Sequence, residues 1–150
     1  MVNLFVYGTL KRGECRESMW PRQPSNIWVA YVRATLFDLG PYPAIRVEET
    51  EDAGATDELD WVRGEVWSFN ENDLPETLSV LDEIEGTNQP GSYNLYDHVA
   101  VRCYDDIHCE TFIGALAYQY SSSRNLRYSR RLHPHDGESF VYWSASTGRS

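Results

Sequence analysis

Two short stretches hold groups whose types and spacing could do chemistry. The first is Phe5-Val6-Tyr7-Gly8-Thr9-Leu10-Lys11-Arg12-Gly13. It starts as an apolar strand and breaks at once into a glycine turn. Gly8 can take backbone angles that a side chain would forbid, and it lets a ligand approach the main chain. Thr9 adds a hydroxyl, and the N–H groups of a tight loop can converge on an anion or a carbonyl oxygen. The second stretch is Leu81-Asp82-Glu83-Ile84-Glu85-Gly86, a helix end crowded with carboxylates. Glu85 falls in the last turn, where unsatisfied carbonyls carry partial negative charge. Asp82 and Glu83 lie close by, and like charges raise a carboxyl pKa. Partial burial would push the same way, towards a carboxyl suited to general acid–base work. Each stretch also has a plainer reading: a strand with an ordinary turn, and three surface acids near a helix end.

The elements that must position these groups follow from pattern. Leu4 to Tyr7, Ile27 to Leu39, Tyr42 to Val47 and Val62 to Phe69 read as strands, rich in β-branched and aromatic residues. Residues 13 to 26 read as a loop with a helical turn, and 48 to 60 as an acidic surface loop. Leu74, Leu78, Leu81 and Ile84 recur at helical spacing. Asp73 is placed to cap this helix, Pro75 suits its first turn, and Gly86 ends it. Tyr93 to Tyr104 and Glu110 to Tyr120 read as a hairpin around Asp105-Asp106. In its second arm Ala115 and Ala117 alternate with Leu116, Tyr118 and Tyr120, which suits a curved sheet with small residues on the tight side. Phe140-Val141-Tyr142-Trp143 reads as a last strand or an apolar anchor. Many short strands and one good helix predict an α+β fold with a curled sheet, in one domain over residues 1–150.

Composition limits the partners. The net charge of -10 argues against nucleic acid and anionic membrane, which need a positive footprint. Arg124, Arg127, Arg130 and Arg131 form a local basic patch, read as a solvated face. No apolar run is long enough to span a bilayer, and the first residues lack the pattern of a signal peptide, so a cytoplasmic location is expected. Cys15, Cys103 and Cys109 make an odd count and are expected as free thiols, although Cys103 and Cys109 could meet across the hairpin. The four histidines show no metal-ligand spacing, and no metal or cofactor is expected. Whether the chain is a monomer or a dimer stays open.

Two further segments complete an ordered set: Gly40-Pro41-Tyr42-Pro43, a rigid turn, and Gly64-Glu65-Val66, a short strand. With the glycine loop and the Leu-Asp-x-x-Glu-Gly element, they make residues 4 to 102 resemble the gamma-glutamylcyclotransferase-like family. The likeness is greatest to its small gamma-glutamylamine cyclotransferase branch. That resemblance implies a small mixed β-barrel with peripheral helices. It implies that Glu85 is the catalytic acid/base and that Asp82 is structural. It implies that Tyr7, Gly8, Thr9 and Leu10 bind a gamma-glutamyl group, largely through main-chain N–H groups. The family often has a tyrosine soon after the glutamate, with an arginine two residues on. Tyr93 is the candidate here, with Leu95 in the arginine's place. Tyr118 or Tyr120 could line the cavity or serve as core aromatics.

The implied reaction is an intramolecular aminolysis of a small gamma-glutamyl substrate, releasing 5-oxoproline and a free amine. A gamma-glutamylamine or gamma-glutamyl amino acid is expected rather than glutathione. Its nucleophile belongs to the substrate, so no catalytic serine or cysteine is needed. Two other classes remain at this stage. One is a non-catalytic small-molecule binding module on the same scaffold. The other is an interaction protein that exposes Trp20, Trp28 and Trp61.

Overall fold

The computed structural model describes residues 2–40, 42–47, 59–86, 96–120, 126, 129–135 and 137–144. Its strands are β1 (Val2–Val6), β2 (Asn26–Asp38), β3 (Pro43–Arg46), β4 (Asp60–Phe69), β5 (Tyr96–Cys103), β6 (Ile113–Tyr120) and β7 (Arg130–Leu132). The helix α1 (Leu74–Glu85) follows β4. Short 3-10 turns occupy Glu17–Met19 and Glu71–Asp73. The predicted strands and helix are all present; β7 carried too little pattern to be read from sequence.

The strands form one mixed sheet in the order β3-β2-β4-β1-β6-β5, with β7 also paired to β2. Most neighbours are antiparallel, while β1 and β6 run parallel at Leu4 and Leu116. The sheet curls into a half-barrel, because its far edge returns towards β2. Tyr31 and Tyr104 exchange both backbone hydrogen bonds, at 2.8 and 2.9 Å, where the end of β5 meets β2. On the other side Arg46 of β3 donates from Nη1 to the Tyr120 carbonyl of β6 at 2.7 Å.

Curvature follows from side-chain size. Ala30, Ala34, Ala115 and Ala117 join Phe5, Tyr7, Val32 and Val66 in the core inside the curl. Leu116, Tyr118 and Tyr120 alternate onto the opposite face, beside Leu4, Val6, Trp67, Phe69 and Leu81 of α1. Small residues on the concave side and large ones on the convex side are what a tight bend requires. Leu4, Phe5 and Val6 of β1 are therefore buried on both faces and form a short apolar run.

The helix departs from expectation at its start. Pro75 sits in the first turn, but Asp73 makes no side-chain cap bond. Asn70 does the capping one turn earlier, its side chain accepting from Asn72 N at 3.1 Å. The C-terminus matches the pattern: Gly86 takes φ 66°, ψ 41°, a left-handed geometry that glycine adopts without strain.

The C-terminal segment is an anchor more than a strand. Val141 makes a single bridge to Val62, and Trp143 is 1% exposed. Lys11 Nζ donates to the Trp143 carbonyl at 2.6 Å, and Trp143 Nε1 donates to Asp38 Oδ1 at 3.3 Å. Burial lowers the Lys11 pKa. The cysteines are free: Cys103 is buried, which pushes its thiol up to about 12, and it does not pair with Cys109. No helix among the described residues is long and apolar enough to cross a membrane.

Candidate active site

The glycine loop continues β1 and is held from below and from the side. Gly8, Thr9 and Leu10 are all buried. Their three carbonyls accept hydrogen bonds from the segment that follows: Lys11 N to Gly8 O at 3.1 Å, Arg16 N to Thr9 O at 2.8 Å, and Trp20 Nε1 to Leu10 O at 3.0 Å. Glu65 fastens the end of the loop to β4. Its Oε1 accepts from Arg12 N at 2.9 Å and from Trp67 Nε1 at 3.2 Å, while Oε2 accepts from Arg12 Nε at 3.0 Å. The Gly-Glu-Val strand thus supplies the clamp that fixes the loop's direction.

Gly8 is not needed for its backbone angles, as it has no positive φ. It is needed for space. A Cβ there would stand 2.7 Å from both Cγ and Cδ of Pro43, closer than real Cβ atoms come. The Gly-Pro-Tyr-Pro turn and the glycine loop therefore pack directly on each other. Gly8→Ala is expected to push the loop off Pro43. We expect kcat/KM to fall on the order of 10²-fold, as misplacements near 1 Å do. Steady-state kinetics beside a melting curve would check it; unchanged kinetics in a folded variant would contradict the fit.

Beneath the loop lies a cleft lined by Tyr7, Gly8, Thr9, Leu10, Tyr42, Pro43, Tyr96, Tyr118 and Glu85. It measures ≈ 360 Å³ counted to its open mouth. The glycine loop and Glu85, more than seventy residues apart in sequence, face the same space. Burial raises the Glu85 pKa to about 7, with Arg16 opposing the shift. Of the causes expected from the sequence, burial is the one that acts. Asp82 and Glu83 do not produce the shift; desolvation does. Asp82 is turned away and engaged with two donors, accepting from Tyr118 Oη and His98 Nε2, each at 2.6 Å.

Three tyrosines surround the carboxyl. Burial raises the pKa of Tyr7, Tyr96 and Tyr118, and the neighbouring Glu85 adds to each shift. Tyr7 Oη donates to Tyr118 O at 2.5 Å, and Tyr96 Oη donates to Pro43 O at 2.7 Å. Tyr118, left open in the sequence, lines the cleft. Tyr120 instead packs edge-on against Tyr96, 5.4 Å between centroids.

Tyr93 lies outside the described residues. Nearby, Tyr96 lines the cleft and His98 contacts Asp82. Sequence reading passed over Tyr96 because a β-strand rich in aromatics looks like core. The tryptophans proposed as an interaction surface are packed: Trp20 stacks on Trp67 at 4.3 Å, Trp28 packs against the barrel core, and Trp61 meets Tyr104 edge-on at 5.3 Å. Among the described residues, no three His, Cys, Asp or Glu side chains are grouped as a metal site.

A curled mixed sheet with a glycine loop and a half-buried glutamate facing one cleft defines a cyclotransferase-like fold. The chain matches the family model described as gamma-glutamyl cyclotransferase, AIG2-like, over residues 4–143, and it belongs to that family. Solved structures share the fold. An AIG2-like protein of Mus musculus superposes with a TM-score of 0.63 at 16% identity, covering 96% of each chain. An Arabidopsis thaliana protein solved in solution gives 0.57 at 21% identity, covering 99% of this chain and 72% of its own. YkqA of Bacillus subtilis gives 0.53 at 21% identity, covering 80% of this chain and 36% of its own. This chain thus spans only about a third of the YkqA chain. No curated protein matches the chain significantly.

Proposed function

We propose that this protein is a gamma-glutamylamine or gamma-glutamyl amino acid cyclotransferase, with Glu85 as its acid/base. One observation carries the reading: Glu85, with a pKa near 7, lines the same cleft as the loop Tyr7 to Leu10. The α-amine of the bound substrate attacks its own γ-carbonyl carbon, forming the ring C–N bond. Glu85 takes the proton that the amine must shed. The tetrahedral intermediate then expels the original amide nitrogen, to which Glu85 returns the proton. The products are 5-oxoproline and the free amine, and the carboxylate is regenerated.

A carboxyl poised near neutrality serves both transfers, since neither protonation state is costly to reach at pH 7. The carbonyls of Gly8, Thr9 and Leu10 are engaged with the following segment. The loop's N–H groups are then the backbone polar atoms suited to a developing oxyanion or the substrate α-carboxylate. Holding both reacting ends in one cleft adds the proximity term, with effective molarities of about 10⁵ M or more.

The test is 5-oxoproline release from a panel of γ-glutamyl amines and γ-glutamyl amino acids. Release is expected, and the preferred leaving amine names the substrate class. No release across the panel by folded protein would replace this reading with that of a binding module.

A further inference from the structure

Tyr7, Tyr96 and Tyr118, three of the four tyrosines that line the cleft, have each committed the single hydroxyl proton. Tyr7 Oη donates to the Tyr118 carbonyl, and Tyr96 Oη donates to the Pro43 carbonyl. Main-chain carbonyls have no proton to return, so these two directions are set by the fold. Tyr118 Oη donates to Asp82 Oδ1, and this third direction is set by side chains alone. An ionised Asp82 can only accept, and His98 Nε2, 2.6 Å from the same oxygen, holds it in place. His98 also packs edge-on against the Tyr118 ring, 5.0 Å between centroids.

A hydroxyl whose proton is committed meets a ligand only as an acceptor. These three hydroxyls, with Glu85, therefore offer acceptors to the cleft, and the main chain of Gly8, Thr9 and Leu10 offers N–H donors. We propose that His98 and Asp82 are positioning residues that fix the Tyr118 proton and so make the cleft selective for a zwitterionic amino-acid head. The α-ammonium meets the phenol oxygens and Glu85, and the α-carboxylate meets the loop. This deepens the cyclotransferase reading and rests on it for the identity of the bound group.

The polarity is open to reversal. Asp82→Leu removes the carboxylate oxygen that takes the Tyr118 proton. The Tyr118 proton would then turn into the cleft and repel an ammonium. Tyr118→Phe removes the acceptor altogether. His98→Arg keeps a donor on Asp82.

The probes are glutamine and its des-amino analogue glutaramic acid, which differ only in the α-ammonium. Binding is measured by calorimetry in a Glu85→Gln background, so that no turnover intervenes. We expect glutamine to bind at least tenfold more tightly, the scale of one charge-assisted hydrogen bond. That ratio should collapse towards one in Asp82→Leu and in Tyr118→Phe, with glutaramic acid affinity held. It should survive in His98→Arg. A ratio unchanged in folded Asp82→Leu and Tyr118→Phe would overturn the proposal, as would no preference, or no binding of either probe, in the parent. Release of 5-oxoproline by wild type is read separately. Release with an unchanged ratio sinks this inference and leaves the reaction standing; a collapsing ratio without release does the reverse.

Discussion

Glu85→Gln is expected to lower kcat by roughly 10³-fold while glutamine-like ligands still bind, because general acid–base catalysis typically contributes 10²–10⁴. The glutamine amide fills the same space but can neither take the amine's proton nor return it. Wild-type kcat/KM should rise with pH through an apparent pKa near 7, the value that burial confers on Glu85 in the free enzyme. The variant's residual activity should lack that limb. A variant with more than a tenth of wild-type turnover would remove Glu85 from the chemistry.

The same substitution should stabilise the fold, with a sign that depends on pH. In the unfolded chain the Glu85 carboxyl ionises near its ordinary value of 4.5, whereas in the folded chain it holds its proton to about 7. Between those values the folded state binds the extra proton, so wild-type stability falls as pH rises through this window. Below pH 4.5 the penalty vanishes, and above 7 it is constant. Glutamine carries none of it. We expect Glu85→Gln to be more stable than wild type at pH 8, on the order of 3 kcal/mol, and about equal to it at pH 4. Denaturant midpoints at the two pH values decide this. Equal gains at both would mean that packing, not the proton, separates the two proteins.

Gly64→Ala carries the largest expected loss of stability. Gly64 lies in β4, which is hydrogen-bonded to β1 on one side and β2 on the other. A Cβ there would meet the Val6 carbonyl oxygen at 2.5 Å and the Phe5 ring at 2.6 Å. The first is backbone inside the ladder and cannot rotate away, and Phe5 is 1% exposed in the barrel core. Relief requires β1 to slide from β4. We expect about 2–3 kcal/mol of destabilisation, at the upper end for overpacking, or roughly 5–10 °C in Tm. Because β1 carries the glycine loop, activity should fall with it. A melting curve within 1 °C of wild type would show that β1 has room to spare.

Much of this architecture was legible because local pattern and tertiary structure agree. Apolar β-formers marked most of the strands, a 3.6-residue period marked α1, and Gly86 marked its end. The alternation of Ala115 and Ala117 with Leu116 and Tyr118 even showed which face of the sheet is concave. The ordered motifs placed Gly8, Glu65 and Glu85 in one family. The sequence by itself thus determined the elements, the curl and the residues worth examining, since these depend on nearest neighbours in the chain.

Tertiary structure decided the rest. Gly8 matters through Pro43, a residue from another strand, and not through its own dihedral angles. Glu85 owes its raised pKa to burial under distant elements, not to the acids beside it. Asp82, its neighbour by one helical turn, is held by His98 and Tyr118 from β5 and β6. Tyr96 enters the cleft only because β5 is laid against β6 in the curled sheet. Burial, close approach and the direction of a hydroxyl proton are properties of groups far apart in sequence. They come into being only when the sheet closes around them.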